Sequence, residues 1–233
     1  MKSIYKWLGL GVAALGIAGK THAISYNLGS LISSGNSISI GDKIFDDFNF
    51  TSSQFDPASA TVIPSVDAAG VYYLTLTGPF VTWGGSSAGF EFGYSVATSS
   101  GQNLITSIDQ SFVLSAGGTG GTIDIQENAH TGSPVGSVVA NSALSFASGN
   151  PPTIDLEDPS AESGDDLLVD LGSNKLFIVT EVAFASLRGG IVGPSVISQS
   201  FHQSPQMVDE TGATALLLGS ALFGVGYFRR KLR

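Results

Sequence analysis

Phe90-Glu91-Phe92-Gly93-Tyr94-Ser95-Val96 alternates large apolar residues with polar or small ones. In an extended chain this puts Phe90, Phe92, Tyr94 and Val96 on one face, the pattern of a strand with one side buried. The alternation recurs in both directions. Upstream, Ser37-Ile38-Ser39-Ile40 reads as a short strand and Gly41-Asp42 as a turn, followed by Ile44, Phe45, Phe48 and Phe50. Residues 71–77 place Tyr72, Leu74 and Leu76 together. Downstream, residues 104–114 read as a long strand or a pair. Gly117-Gly118-Thr119-Gly120-Gly121 reads as a hairpin loop leading to Thr122-Ile123-Asp124-Ile125. Further strands are predicted at 136–140, 143–146, 167–171, 175–184 and 195–203, and residues 150–164, with prolines and acids, as a long loop. Helical periodicity is hard to find between residues 24 and 206. Roughly ten strands, apolar on one face and Ser/Thr-rich on the other, predict an all-β antiparallel β-sandwich.

The two ends differ from this body. Met1-Lys2-Ser3-Ile4-Tyr5-Lys6 precedes an apolar run over 7–18, and Thr21-His22-Ala23 has the small outer residues of a cleavage site. Residues 1–23 therefore read as a secretory signal peptide, helical in its apolar run. Residues 24–206 form the sandwich domain, with 17 acidic residues against three basic ones (Lys43, Lys175, Arg188), a net charge of −14. Such a field repels nucleic acid, so a nucleic-acid partner is not expected. The chain has no cysteine, which excludes disulfides, thiolate metal sites and cysteine nucleophiles. Scarce charge with abundant Gly, Ser and Thr fits an extracellular β-protein.

Residues 207–233 are a third segment. Val208-Asp209-Glu210-Thr211-Gly212-Ala213-Thr214 is followed by an uncharged span over 213–228 and by Arg229-Arg230-Lys231-Leu232-Arg233. The span is slightly short of the roughly 20 residues that cross a bilayer as a helix, and the basic end can snorkel to make up the difference. Arg229, Arg230, Lys231 and Arg233 set orientation: they stay on the cytoplasmic side, with everything before the span outside. A buried C-terminal helix is the competing reading, but a core helix rarely ends in a basic cluster without a polar face.

In its order of motif, apolar span and basic end, this tail resembles the VPDSG-CTERM sorting signal, a relative of the PEP-CTERM signal. Glu210 stands where that family has its acid and Thr211 where it has Ser; Gly212 and Thr214 match, and Asp209 replaces Pro. The resemblance implies processing at Val208, Asp209, Glu210, Thr211, Gly212 and Thr214 by an exosortase-type enzyme. The body carries a second, looser resemblance to exported proteins bearing such signals. Its cues are Gly41-Asp42-Lys43-Ile44-Phe45-Asp46-Asp47-Phe48, Gly78-Pro79-Phe80-Val81-Thr82-Trp83, Tyr94-Ser95-Val96, Ile125-Gln126-Glu127, and Ser195, Gln199, Phe201 and Gln203 before the tail. It implies an exported protein and carries over no catalytic residue.

Candidate chemistry is sparse. Gly85-Ser86-Ser87-Ala88-Gly89 matches the letters of a nucleophile elbow, but an elbow needs a helix after Ser87 and a strand follows; a Gly/Ser turn explains the same letters. His130 and His202 are the only bases left once His22 is cleaved off. Asp46 and Asp47, adjacent on a strand, point to opposite faces and cannot flank a sugar as a glycosidase pair. Asp155, Glu157, Asp158, Asp165 and Asp166 crowd one segment and are the candidates for Ca²⁺ among oxygen ligands, although a solvated acidic loop is the plainer reading. Trp83, Tyr72, Tyr73 and Phe80 are candidates for an aromatic sugar platform, against core packing. The expectation is an exported, non-enzymatic surface or matrix protein without catalytic residues or an obligatory cofactor. It is held first in the inner membrane and then delivered to the cell surface or an extracellular matrix. The alternative is a polysaccharide- or Ca²⁺-binding module.

Overall fold

In a computed structural model, the structure describes residues 24–99, 103–147, 153–156 and 167–205. The segments expected as signal peptide and sorting tail, with Glu157, Asp158, Asp165 and Asp166, lie outside these residues. Among the described residues no helix is long and apolar enough to cross a membrane.

Among the described residues the alternation produces fourteen strands in two antiparallel seven-stranded sheets. They are β1 (Tyr26–Asn27), β2 (Ile38–Ile40), β3 (Lys43–Thr51), β4 (Thr61–Val66), β5 (Tyr72–Thr77), β6 (Thr82–Trp83), β7 (Ser87–Thr98), β8 (Asn103–Gly117), β9 (Gly121–Thr131), β10 (Ser137–Ala147), β11 (Thr153–Leu156), β12 (Leu167–Ser173), β13 (Lys175–Ser186) and β14 (Ile191–Pro205). One sheet runs β1-β4-β5-β14-β8-β12, with β6 also on β14; the other runs β11-β10-β9-β13-β7-β3-β2.

Phe90, Phe92, Tyr94 and Val96 all face the core, as their spacing predicts. So do Tyr72, Leu74 and Leu76 from the opposite sheet. Aromatic rings fill the space between. Phe50, Phe55, Phe80, Phe90 and Phe184 pack in one group, and Phe45, Phe48, Phe92, Tyr94 and Phe201 in another, with centroids 4.5–6.3 Å apart.

Four expectations are corrected. Residues 117–121 do not close a hairpin, because β8 belongs to one sheet and β9 to the other; the glycine turn is an arch that carries the chain across the sandwich. The two strands expected over 136–140 and 143–146 are one, β10 (Ser137–Ala147), paired to β9 through a bulge at Val138/Ala140. The long loop expected over 150–164 contains β11, paired to β10. A short helix, α1 (Leu28–Ser34), capped by Asn27, buries Leu28 and Leu31 where no helix was expected. Its apolar face is only two residues long, too little to show a period.

Candidate functional site

Each of the two sheets contributes polar side chains to the interior, and they meet in one belt. On β9 the inward series is Ile123, Ile125, Glu127 and Ala129; on β13 it is Ile178, Thr180, Val182 and Phe184; on β14 it is Ile197, Gln199 and Phe201. In each series one polar residue stands in an apolar row. Register aligns them. Ser142, Glu127, Thr180 and Phe92 are successive cross-strand partners in one sheet, and Gln110, Gln199 and Leu74 in the other.

Gln199 is the centre of the belt. Its Oε1 accepts from Tyr94 Oη at 2.6 Å, and its Nε2 donates to Glu127 Oε2 and Thr180 Oγ1, each at 2.6 Å. Three bonds to three strands of the facing sheet hold the layers in register without a cysteine. Beside it, Gln110 Nε2 donates to Ser142 Oγ. Among the described residues two acceptors of the belt find no donor, Glu127 Oε1 and Gln110 Oε1. Glu127 is 0% exposed. Burial raises its pKa to about 8, the Gln199 hydrogen bond opposes the rise, and the charge of Asp109 adds to it. Burial also pushes the Tyr94 phenol well up, with help from Glu127.

A second interior cluster closes one pole. Gly41 turns the chain at φ 57°, and a Cβ there would stand 2.4 Å from Tyr72 Oη. Asp42 Oδ1 accepts from Lys43 Nζ at 2.7 Å, and Asp42 Oδ2 accepts from Asn103 Nδ2 at 2.8 Å. Lys43, 0% exposed, also donates to Gln203 Oε1 and lies 4.5 Å from the centre of the Tyr72 ring. Burial pulls the Lys43 pKa down against the pull of Asp42. For Asp42 burial acts upward, but the bonds from Asn103 and Lys43 outweigh it and hold the carboxyl below its usual value. The Gly-Asp-Lys stretch is therefore a clasp between β3 of one sheet and β5, β8 and β14 of the other.

Most of the cues singled out in the body thus land in the interior. Lys43, Phe45, Tyr94, Glu127, Gln199, Phe201 and Gln203 are spent on joining the sheets, and Phe80, 1% exposed, on the core. Sequence reasoning did not find the burial of Lys43 or the part played by Gln110. The signal for Glu127, Thr180 and Gln199 was their parity, each sitting on the apolar side of its strand.

Residues with catalytic potential are scattered. Ser87 opens β7 from a turn and is followed by strand, not helix. Ser87 pairs with Ala185 on β13, whereas Phe177 of the same strand pairs with His130, so eight residues, about 26 Å, separate the two positions. His130 Nδ1 lies 3.1 Å from Gly136 O. His202 Nε2 lies 3.4 Å from Ser200 Oγ, on the other sheet. Asp46 and Asp47 sit at a bulge of β3 rather than on a regular strand: Asp47 takes φ 56° and its Oδ2 accepts from Ser95 Oγ at 2.9 Å and from Lys175 Nζ at 3.3 Å. Asp155 lies on β11. Among the described residues no three metal-ligating side chains converge as a cation site.

Two surface features remain. The outer face of the β10-β9-β13-β7 sheet carries an open trough of about 480 Å³ lined by Glu91, Asp124, Gln126, Ser145 and Glu181. Glu91 and Glu181 are direct cross-strand partners there, a like-charge pair that costs stability. The other feature is Trp83. Of the proposed platform, Phe80 and Tyr72 are in the core and Tyr73 is half-buried with its hydroxyl donating to Asp67 Oδ2 at 3.2 Å, but Trp83 is 67% exposed.

No protein-family model matches the chain, and no curated protein matches it. Among solved structures it is similar to TmCBM61, determined in complex with beta-1,4-galactotriose, at a TM-score of 0.30 and 10% identity over 69% of this chain and 89% of that one. It is also similar to the enzymatically active domain of bacteriophage CBA120 tailspike protein 4, at a TM-score of 0.25 and 18% identity over 65% of this chain and 19% of that one. Both are loose superpositions.

Proposed function

We propose that the chain is an exported, non-catalytic β-sandwich delivered to the cell surface or an extracellular matrix by an exosortase-type system. The observation that carries this reading is the tail: Val208–Thr214 in sequence order before the uncharged span 213–228 and the basic end Arg229–Arg233. The folded body supports it. The last strand, β14, ends at Pro205, just ahead of the motif, so the motif follows the sandwich directly. Interior hydrogen bonds take the place of disulfides, and the serine, histidine and carboxylate candidates for catalysis are dispersed over both sheets. The test is intact mass and C-terminal peptide mapping of the protein recovered from its host. Loss of residues 1–23 and of everything beyond a cut near 208–214 is expected. Retention of Arg229–Arg233 in the final location overturns the processing.

The exposure of Trp83 favours a second reading within the same frame, binding of extracellular polysaccharide. Retention of the purified protein on polysaccharide columns tests it, and passage through all of them counts against it.

A further inference from the structure

We propose that the glycine-turn pole of the sandwich is a binding site for neutral polysaccharide, in which a pyranose ring stacks on Trp83 and Arg188 donates to its hydroxyls. The proposal rests on the polysaccharide-binding reading above and adds the site and the class of sugar.

Trp83 is presented, not merely left uncovered. Its strand is held by the pairs Trp83 with Ile191 and Thr82 with Val192, and Thr82 and Val192 are buried. Gly84 N donates to Gly190 O at 3.2 Å, and Ser186 Oγ accepts from Gly85 N at 3.1 Å and Ser86 N at 3.2 Å. Leu187 N donates to Gly120 O at 2.8 Å and Thr119 Oγ1 to Arg188 O at 2.9 Å. Three glycine-rich turns are thereby tied together next to the Trp83 strand. Positions 84 and 189 have open space where a side chain would be, so these turns present bare backbone at the pole. Ile191, the cross-strand partner of Trp83, and Leu187 are also about half exposed and extend the apolar surface. A flat, rigid apolar face of this kind suits the axial C–H face of a pyranose.

Charge selects the class. Of the three basic residues in 24–206, Lys43 is buried against Asp42 and Lys175 pairs with Asp47. Arg188, on the turn packed against Gly85, makes no ion pair among the described residues and is exposed. Its planar fork offers donors to adjacent hydroxyls. One cation does not offset a net charge of −14 over the domain, whose field turns polyanionic chains away. A neutral chain meets no such barrier.

The site also faces the right way. β14 runs from Ile191, beside Trp83, to Pro205, ahead of the sorting motif, fourteen residue steps or about 45 Å. Attachment through the tail leaves the Trp83 pole farthest from the anchor.

Indole emission tests this directly. Trp7 is the only other tryptophan, so a Trp83→Phe variant supplies the background. The full chain is titrated with neutral β-linked hexose oligosaccharides and with oligogalacturonate at fixed ionic strength, and self-association is followed by sedimentation. Saturable change in Trp83 emission with a neutral oligosaccharide is expected, weakened about tenfold by Arg188→Ala, with unchanged melting temperature. Equal or tighter binding of oligogalacturonate overturns the neutral class while polysaccharide binding stands. No response to any oligosaccharide overturns the site. If the full chain still binds a polysaccharide column, the failure is one of the Trp83 site; if it does not, polysaccharide binding fails too. Self-association abolished by Trp83→Ala, without sugar binding, reassigns this pole to contact between copies.

Discussion

Glu127 is fully buried, and among the described residues its Oε1 meets no donor, while Gln110 Oε1 in the same belt also lacks one. Burial raises the Glu127 pKa, with the Gln199 bond opposing and the charge of Asp109 adding, and the proton it keeps supplies a donor to a region with two acceptors to spare. The titratable groups around it, Tyr94 on β7 and Asp109 on β8, offer no positive charge. The unfolded chain releases this proton near the usual glutamate value of about 4.3, the folded one at about 8. Between these values the folded state holds the extra proton, so the stability gained is full below the unfolded pKa and is lost as pH rises to about 8. From pH 5 to 8 the fall is on the order of 4 kcal/mol, or roughly 10 °C in melting temperature. Asp42 and Asp67, both lowered, act in the opposite sense, but only at the acid end, as pH falls through their depressed values. Glu127→Gln keeps an acceptor for Gln199 and carries a permanent donor for the spare oxygen. Calorimetry between pH 5 and 8 is expected to show the slope in the wild type, its absence in the variant, and a more stable variant at pH 8. A flat wild-type profile would remove the protonated glutamic acid from the belt. At the other pole, Gly41→Ala combines a left-handed backbone with a Cβ driven into Tyr72, and is expected to cost about 2–3 kcal/mol, read as a lower denaturant midpoint with unchanged slope.

β14 is the element on which both clusters depend. It lies between β5 and β8, supplies Gln199 to the belt and Gln203 to the clasp, and buries Phe201 between the two and Ile197 on the far side of Gln199. Gln199→Leu leaves the Tyr94 hydroxyl, Thr180 and Glu127 without their shared partner, a loss of about 3 kcal/mol or more. Hydrogen exchange is expected to quicken first in β14 and in β7, β9 and β13, the strands Gln199 joins to it across the sandwich; unchanged exchange there would show that packing alone holds the sheets. At this scale the sequence was legible where parity governs. The faces of β5 and β7 follow from alternation alone, because each residue's side is fixed by its neighbours. Sheet membership was not legible. A Gly-Gly-Thr-Gly-Gly turn reads the same whether the next strand pairs with the last one or crosses to the other layer, and β8 is placed by β14 and β12, far away in sequence. The bulge at Asp47 was hidden for the same reason, since its αL backbone is stabilised by Ser95 and Lys175 from other strands. Of the proposed sugar site, Trp83 was named in advance as a platform residue and Arg188 only as one of three basic residues. The exposure of Trp83, unlike the burial of Phe80 three residues earlier, is decided by where β6 lands on β14.

The molecule as a whole has two unlike poles. One holds Lys43, Asp42 and the end of β14; the other holds the glycine turns and Trp83. The chain leaves the sandwich from the clasped pole, so a load on the tail is first met by Gln203, which Lys43 ties to the opposite sheet. In the proposed membrane-held precursor this polarity fixes what faces the bilayer. The acidic surface of the domain is repelled by anionic lipid, which favours a sandwich that stands clear of the membrane. Reconstituted through its tail into vesicles of brominated lipid, the precursor freed of residues 1–23 has Trp83 as its only tryptophan, about 45 Å from the tether along β14. Contact quenching by bromine needs the ring at the lipid, so Trp83 emission is expected to match that in unbrominated vesicles. Strong quenching would mean that the sandwich lies on the membrane with its glycine-turn pole down. That would make the exposed indole a membrane contact and not a face turned to the matrix.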